Sequence, residues 1–123
     1  MRKGFCLRWN LRSQLLRHKK YMSFNFKEII SFYLNHYGYV DLIAHGESMF
    51  PTIKDGDRVR IIPQENYNEN DIIAFWNSHN KIVIHRIIIT KKNKFFTKGD
   101  NNKEFDKIVS KKDILGLALK NNQ

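Results

Sequence analysis

Apolar residues recur along this chain at two different periods, and the change falls at Gly38. Before it, Phe26, Ile29, Ile30, Tyr33 and Tyr37 are spaced for one face of a helix. Asn25, with Glu28 three residues later, makes a capping-box pattern, and Gly38 accepts the left-handed conformation that stops a helix. The spacing predicts a helix over 25–37, within an amphipathic segment 23–38, with its aromatic stripe packed on a sheet. After Gly38 the apolar runs shorten and turn clusters separate them. Strands are predicted near 40–45, 57–62, 71–76, 81–90, 94–98 and 114–119, with turns at Lys54–Gly56, Asn77–Asn80 and Lys91–Asn93. Six short strands behind one helix indicate a mainly β fold, a small coiled or barrel-like domain over 39–120. Residues 121–123 read as a frayed tail. In the fourth strand, alternation puts Val83, His85, Ile87 and Ile89 on one face and Ile82, Ile84, Arg86 and Ile88 on the other.

Charge adds a second segment to this picture. The 123 residues suit one domain and carry 22 Lys and Arg against 12 Asp and Glu, a formal +10. Seven of those bases and no acid lie in residues 1–21, where Phe5, Leu7, Trp9, Leu11, Leu15 and Leu16 are interspersed with them. Residues 1–22 therefore read as a basic arm, either amphipathic or a solvated disordered tail. Its charge suits an anionic membrane surface or nucleic acid phosphates. Two starts are open, Met1 and Met22, and the second would leave the arm out of the natural protein. The arm is too interrupted by charge for a secretory signal peptide. No window of about 18 apolar residues occurs, so the expectation is a cytoplasmic protein or one peripheral at the membrane. The single cysteine, Cys6, allows no internal disulfide and fits a reducing compartment. The five histidines have none of the usual metal-ligand spacings, and no cofactor is expected.

The candidate chemistry begins at Gly46-Glu47-Ser48-Met49-Phe50-Pro51-Thr52, where the apolar run Val40–Ala44 ends and a proline follows. Ser48 is thus presented at the end of a strand, a suitable place for a nucleophile. A serine hydroxyl is weak without a base, and His85 is the candidate. An acid would then orient the imidazole, and both Asp100, in Gly99-Asp100-Asn101-Asn102, and Asp106 qualify. As a plain turn, that Gly-Asp-Asn-Asn cluster would only bond its own backbone.

Taken together, the Ser-Met-x-Pro-Thr box, the Asp55-Gly56-Asp57 turn, the strand Asp71–Phe75, the Ile84-His85-Arg86 box and the Gly-Asp-Asn-Asn box resemble the type I signal peptidases. Those enzymes share a superfamily with the self-cleaving SOS repressors, and the resemblance covers residues 40–119. It implies the same small coiled β architecture and a serine endopeptidase. The His box is similar to that of the endoplasmic-reticulum and archaeal type, which has acids at both the Asp100 and Asp106 positions. Gly46-Glu47 before Ser48 is more similar to the repressor branch, which uses a lysine base. Signal peptidases usually have Ser-Gly there, so the oxyanion donors expected here are backbone N–H groups near Ser48. Glu47 reads as a solvated charge, and Arg86 as the partner of an acid such as Asp100 or Asp57. The resemblance places Met49 and Phe50 on a rim that meets substrate or lipid, with one of them in the core as the alternative.

The expected function is removal of a signal or leader peptide from a secreted or modified precursor by Ser48 and His85. The resemblance implies a substrate added as an extended segment along a strand edge, with small side chains near the cut. The alternatives are a repressor-related DNA-associated regulator and a peptide-binding relative without catalysis; the absent lysine base and the single helix over 23–38 argue against the first, so nucleic acid is not the expected partner.

Overall fold

A computed structural model describes residues 25–121. The expected basic arm, residues 1–22, and the last two residues of the tail lie outside them. The capping box is formed: Asn25 Oδ1 accepts from the Glu28 N–H at 2.8 Å, and Glu28 Oε1 accepts from the Asn25 N–H at 3.1 Å. At the other end Gly38, with φ +84°, donates its N–H to the Leu34 carbonyl. Helix α1 therefore runs Phe26–Tyr37 and packs on the first strand. Ile30 and Tyr33 are its buried residues, whereas Phe26 and Tyr37, at the ends of the same stripe, are half exposed. Only the middle turns of the helix face the sheet closely enough to bury a whole side chain.

Seven strands follow: β1 Val40–Ile43, β2 Arg58–Ile62, β3 Ile72–Trp76, β4 Ile82–Lys91, β5 Lys94–Lys98, β6 Val109–Ser110 and β7 Ile114–Lys120. They form one antiparallel sheet in the order β1-β2-β7-β3-β4-β5-β6, with a 3-10 turn at Lys111–Asp113. The last long strand is thus inserted between the second and third. This joins the two hairpin-like halves into a mainly β, half-barrel domain preceded, among the described residues, by one helix. Strand β3 lies in the middle, and its apolar run is buried on both faces. Ala74 joins a cluster with Ile30, Val40, Val59 and Ile61, while Ile73 and Phe75 join one with Ile87 and Phe95.

Two features differ from the simple alternating pattern. Strand β6, opposite Lys94 and Phe95, is only two residues long, below the length at which a period can be read. In β4 the pairing with β5 slips between Ile87 and Ile89. The extra residue inverts the faces beyond it, so Ile89 is 46% exposed instead of sharing the buried face of His85 and Ile87.

The curl of the sheet creates a cleft of about 510 Å³ between two strands that are distant in the strand order. One wall is the consecutive run Asp41–Gly46 and the other is Ile82–His85. Side chains on one face of a strand alternate, so an unbroken run of lining residues marks a strand edge. Among the described residues both edges are open: strand β1 is paired only with β2, and the first half of β4 is paired with β3 alone, because β5 joins it from Arg86 onward.

Candidate active site

Ser48 lies in the turn that leaves the β1 side of the cleft, and its neighbours fix that turn from below. Met49 and Ile53 are 4% and 3% exposed and belong to the core. The Ile53 N–H donates to the Met49 carbonyl at 2.9 Å. Phe50, by contrast, is 44% exposed and is not among the residues lining the cleft. Met49 does line it, so of the two expected rim residues Met49 is a core anchor at the cleft floor and Phe50 is on the open surface. The next turn supports the same segment: the Gly46 N–H donates to Asp55 Oδ1 at 2.7 Å, and the Lys54 N–H to Asp57 Oδ2 at 2.8 Å. That backbone bond is the main reason the Asp57 carboxyl is held below its ordinary pKa, with Lys120 assisting at 3.2 Å.

Strand β4 delivers His85 to the opposite wall. It is 7% exposed, with the Phe75 ring edge-on beside it. Its Nε2 lies 3.1 Å from Ser48 Oγ, and its Nδ1 lies 2.6 Å from Asp106 Oδ2. A carboxylate only accepts, so the neutral tautomer that suits both contacts carries its proton on Nδ1 and offers the Nε2 lone pair to the serine hydroxyl. Asp106 is itself fixed by Thr97, which is fully buried. The Thr97 hydroxyl donates to Asp106 Oδ2 at 2.7 Å and its carbonyl accepts the Asp106 N–H at 2.9 Å.

Asp100, the other acid left open by the sequence, is engaged elsewhere. Arg86 forks onto it with two bonds of 2.8 Å, and the Thr52 hydroxyl donates to it at 2.7 Å. The Arg86 guanidinium holds the Asp100 carboxyl below its ordinary pKa, and the carboxylate raises the arginine in turn. Asp57 pairs instead with Lys120. The Asp100–Arg86–Thr52 set ties the serine turn to the histidine strand without touching the imidazole.

The loop carrying Asp100 also seats Ser48. The Asn101 N–H donates to the Ser48 carbonyl at 2.8 Å, and Asn101 Nδ2 donates to the Glu47 carbonyl at 3.0 Å. Lys98 Nζ donates to the carbonyls of Gly99 and Asn102 and so holds the loop's shape. At Gly99 a Cβ would fall 2.6 Å from the Ser48 carbonyl oxygen and 3.0 Å from His85 Nε2, so only glycine fits. The backbone N–H groups of Ser48 and Met49 find no acceptor among the described residues. Glu47 is exposed and makes only backbone contacts here. Thr52, Thr97, Lys98 and Asn101 had no assigned role in the sequence. Their only local signal was proximity to the two polar boxes, since each acts through a contact made across the fold.

Among the described residues, no group of three or more His, Cys, Asp or Glu is placed to hold a metal ion. No helix among them is long and apolar enough to cross a membrane. A search of curated proteins finds no match to this chain. The Peptidase S24-like family matches residues 17–119, which include the helix, the serine turn, the histidine strand and both acids. With most of its length matched, the chain belongs to the Peptidase S24-like family.

Proposed function

We propose that this chain is a serine endopeptidase in which Ser48 is the nucleophile, His85 the general base and Asp106 the residue that orients and stabilises the imidazole. The observation that carries the reading is the continuous path Ser48 Oγ, His85 Nε2, His85 Nδ1, Asp106 Oδ2, at 3.1 and 2.6 Å. In the proposed reaction Ser48 Oγ attacks a peptide carbonyl while His85 Nε2 takes its proton. Collapse of the tetrahedral intermediate breaks the C–N bond, and the protonated imidazole gives that proton to the leaving amine. Water, deprotonated by His85, then attacks the acyl carbon, and the imidazolium returns the proton to Ser48 Oγ as the ester C–O bond breaks. The unengaged N–H groups of Ser48 and Met49 are the proposed oxyanion donors. Asp100 is a positioning residue, through Arg86 and Thr52.

The proposed substrate is an extended segment bound between the open edges of β1 and β4, where backbone bonds on both sides would complete the curl of the sheet. The narrower reading is a leader or signal segment of a secreted or modified precursor, with small side chains next to the cut. The basic arm, residues 1–22, would bring the protein to an anionic membrane surface. The test is cleavage of a peptide library by wild type, Ser48→Ala and His85→Ala, with and without anionic liposomes. Cleavage by wild type alone supports the reading, and a liposome requirement supports the role of the arm. Equal inertness of all three proteins contradicts it.

A second reading is favoured by Gly46-Glu47 ahead of Ser48 and by the family itself: a repressor-related regulatory protein. It predicts salt-dependent DNA binding that is lost on deleting residues 1–21 and unaffected by Ser48→Ala.

A further inference from the structure

The cleft is also lined by side chains for which the proposed chemistry has no use, Phe26 and Ile82 among them. Helix α1 begins there. Phe26, its first residue, lines the cleft yet remains 50% exposed. Its ring meets Trp76 edge to face, with centroids 5.9 Å apart at 88°. Trp76 pairs with Ile82 across β3 and β4, and Ile82 lines the same cleft. The Lys27 ammonium lies 5.0 Å from the centre of the Trp76 ring, within cation–π range. The capping box on Asn25 and Glu28 fixes the first turn of the helix, so the position of Phe26 is set by the backbone and not by a swinging side chain alone.

The distance from the nucleophile follows from the strand. Ile82 precedes His85 by three residues, and at about 3.3 Å per residue that is about 10 Å. An extended peptide has the same rise. With its scissile carbonyl at Ser48, the residue three or four positions away therefore lies against Ile82 and Phe26. Phe26, Ile82 and Ile84, with Leu42 on the facing wall, are partly exposed apolar groups lining the cleft, and covering them removes apolar surface from water.

We infer that Phe26 and Ile82 form a specificity subsite for a large apolar side chain three or four residues from the scissile bond, on the part of the substrate that lies in the cleft. The position of the bond rests on the peptidase reading; contact between the peptide and Phe26 does not require Ser48 to react.

The test uses the full chain and a random library of acetylated, amidated decapeptides. Cleavage by wild type, Phe26→Ala and Phe26→Leu is read by mass spectrometry. Binding is read by affinity selection of the same library on Ser48→Ala and on Ser48→Ala/Phe26→Ala. Wild-type products are expected to be enriched in large apolar residues three or four positions from the cut. That enrichment should fall about 10-fold in Phe26→Ala and largely return in Phe26→Leu, as for loss and restoration of an apolar pocket wall. Ser48→Ala should select the same apolar peptides, and the double variant should lose the selection. Equal enrichment in wild type and Phe26→Ala overturns the subsite and leaves the peptidase reading intact. Phe26-dependent selection with no cleavage by wild type supports the subsite and overturns the peptidase reading. Neither cleavage nor selection overturns both.

Discussion

Of the two glycines nearest the candidate nucleophile, Gly46 faces open space and Gly99 does not, which makes Gly99→Ala a sharp perturbation of the site. The new Cβ would lie 2.6 Å from the Ser48 carbonyl oxygen, 2.7 Å from Asn102 Nδ2 and 3.0 Å from His85 Nε2. Ordinary contact begins at 3.4 Å, so Ser48 and His85 must give way by about 0.8 and 0.4 Å. The Ser48–His85 contact is already 3.1 Å, at the edge of the roughly 3.2 Å reach of proton transfer, and shifts of this size carry it beyond. The expected loss is about 10²-fold in the rate of reaction at Ser48, the cost of a misplacement near 1 Å. Overpacking should also cost about 1–3 kcal/mol of stability. The assay is the rate of fluorophosphonate adduct formation followed by intact mass, alongside urea denaturation. Gly38→Ala is the control. Gly38 has φ +84° with open space around it, so that variant loses about 1–2 kcal/mol from backbone strain but keeps its labelling rate. A folded Gly99→Ala protein labelled at the wild-type rate would refute the claim that this close contact holds the reacting groups in register.

Further outcomes follow from the same structure. Asp106→Asn should fold but lose about 10³–10⁴ in reaction rate at Ser48, because an amide can no longer fix the proton on His85 Nδ1. Thr97→Val, which removes one bond to that carboxylate, should lose only about 2–10-fold. Asp100→Asn should be less stable than wild type by about 2 kcal/mol at neutral pH, from loss of a charge-assisted pair. Since folding holds Asp100 below its ordinary value of 3.8, its contribution is full above that pH and disappears as pH falls through the lowered folded value. Denaturation measured from pH 7 downward should therefore show the gap between the two proteins constant to about pH 5 and closing below about pH 4. Met49→Ala should cost about 2–5 kcal/mol as a core truncation, and Phe50→Ala within about 0.5 kcal/mol of nothing, read by the same denaturation.

What could be read from the sequence divides along physical lines. The helix was legible because its signals are local: Asn25, Glu28 and Gly38 act within a few residues of themselves. The mainly β fold was legible because apolar runs and turn clusters alternate. Along β4 the alternation described the faces correctly through Ile87 and failed at Ile89, since the bulge is set by the partner strand and leaves no mark in the β4 sequence. Asp100 and Asp106 could not be separated by chemistry. Both are aspartates in a polar loop, and only the curl of the chain brings one to His85 and the other to Arg86. Met49 and Phe50 differ in the same way: adjacent large apolar residues in a turn point in different directions, and sequence does not say which is inward. Phe26 read as core because its spacing is helical. Its place in the lining of the cleft depends on how α1 meets the open side of the sheet.

The central claim, that Ser48 is a nucleophile activated by His85, is tested most directly by mapping a fluorophosphonate adduct on the intact protein. One adduct on Ser48 is predicted for wild type, none for Ser48→Ala, and labelling slowed at least about 10²-fold for His85→Ala. An adduct elsewhere, or equal labelling of wild type and His85→Ala, would contradict the account.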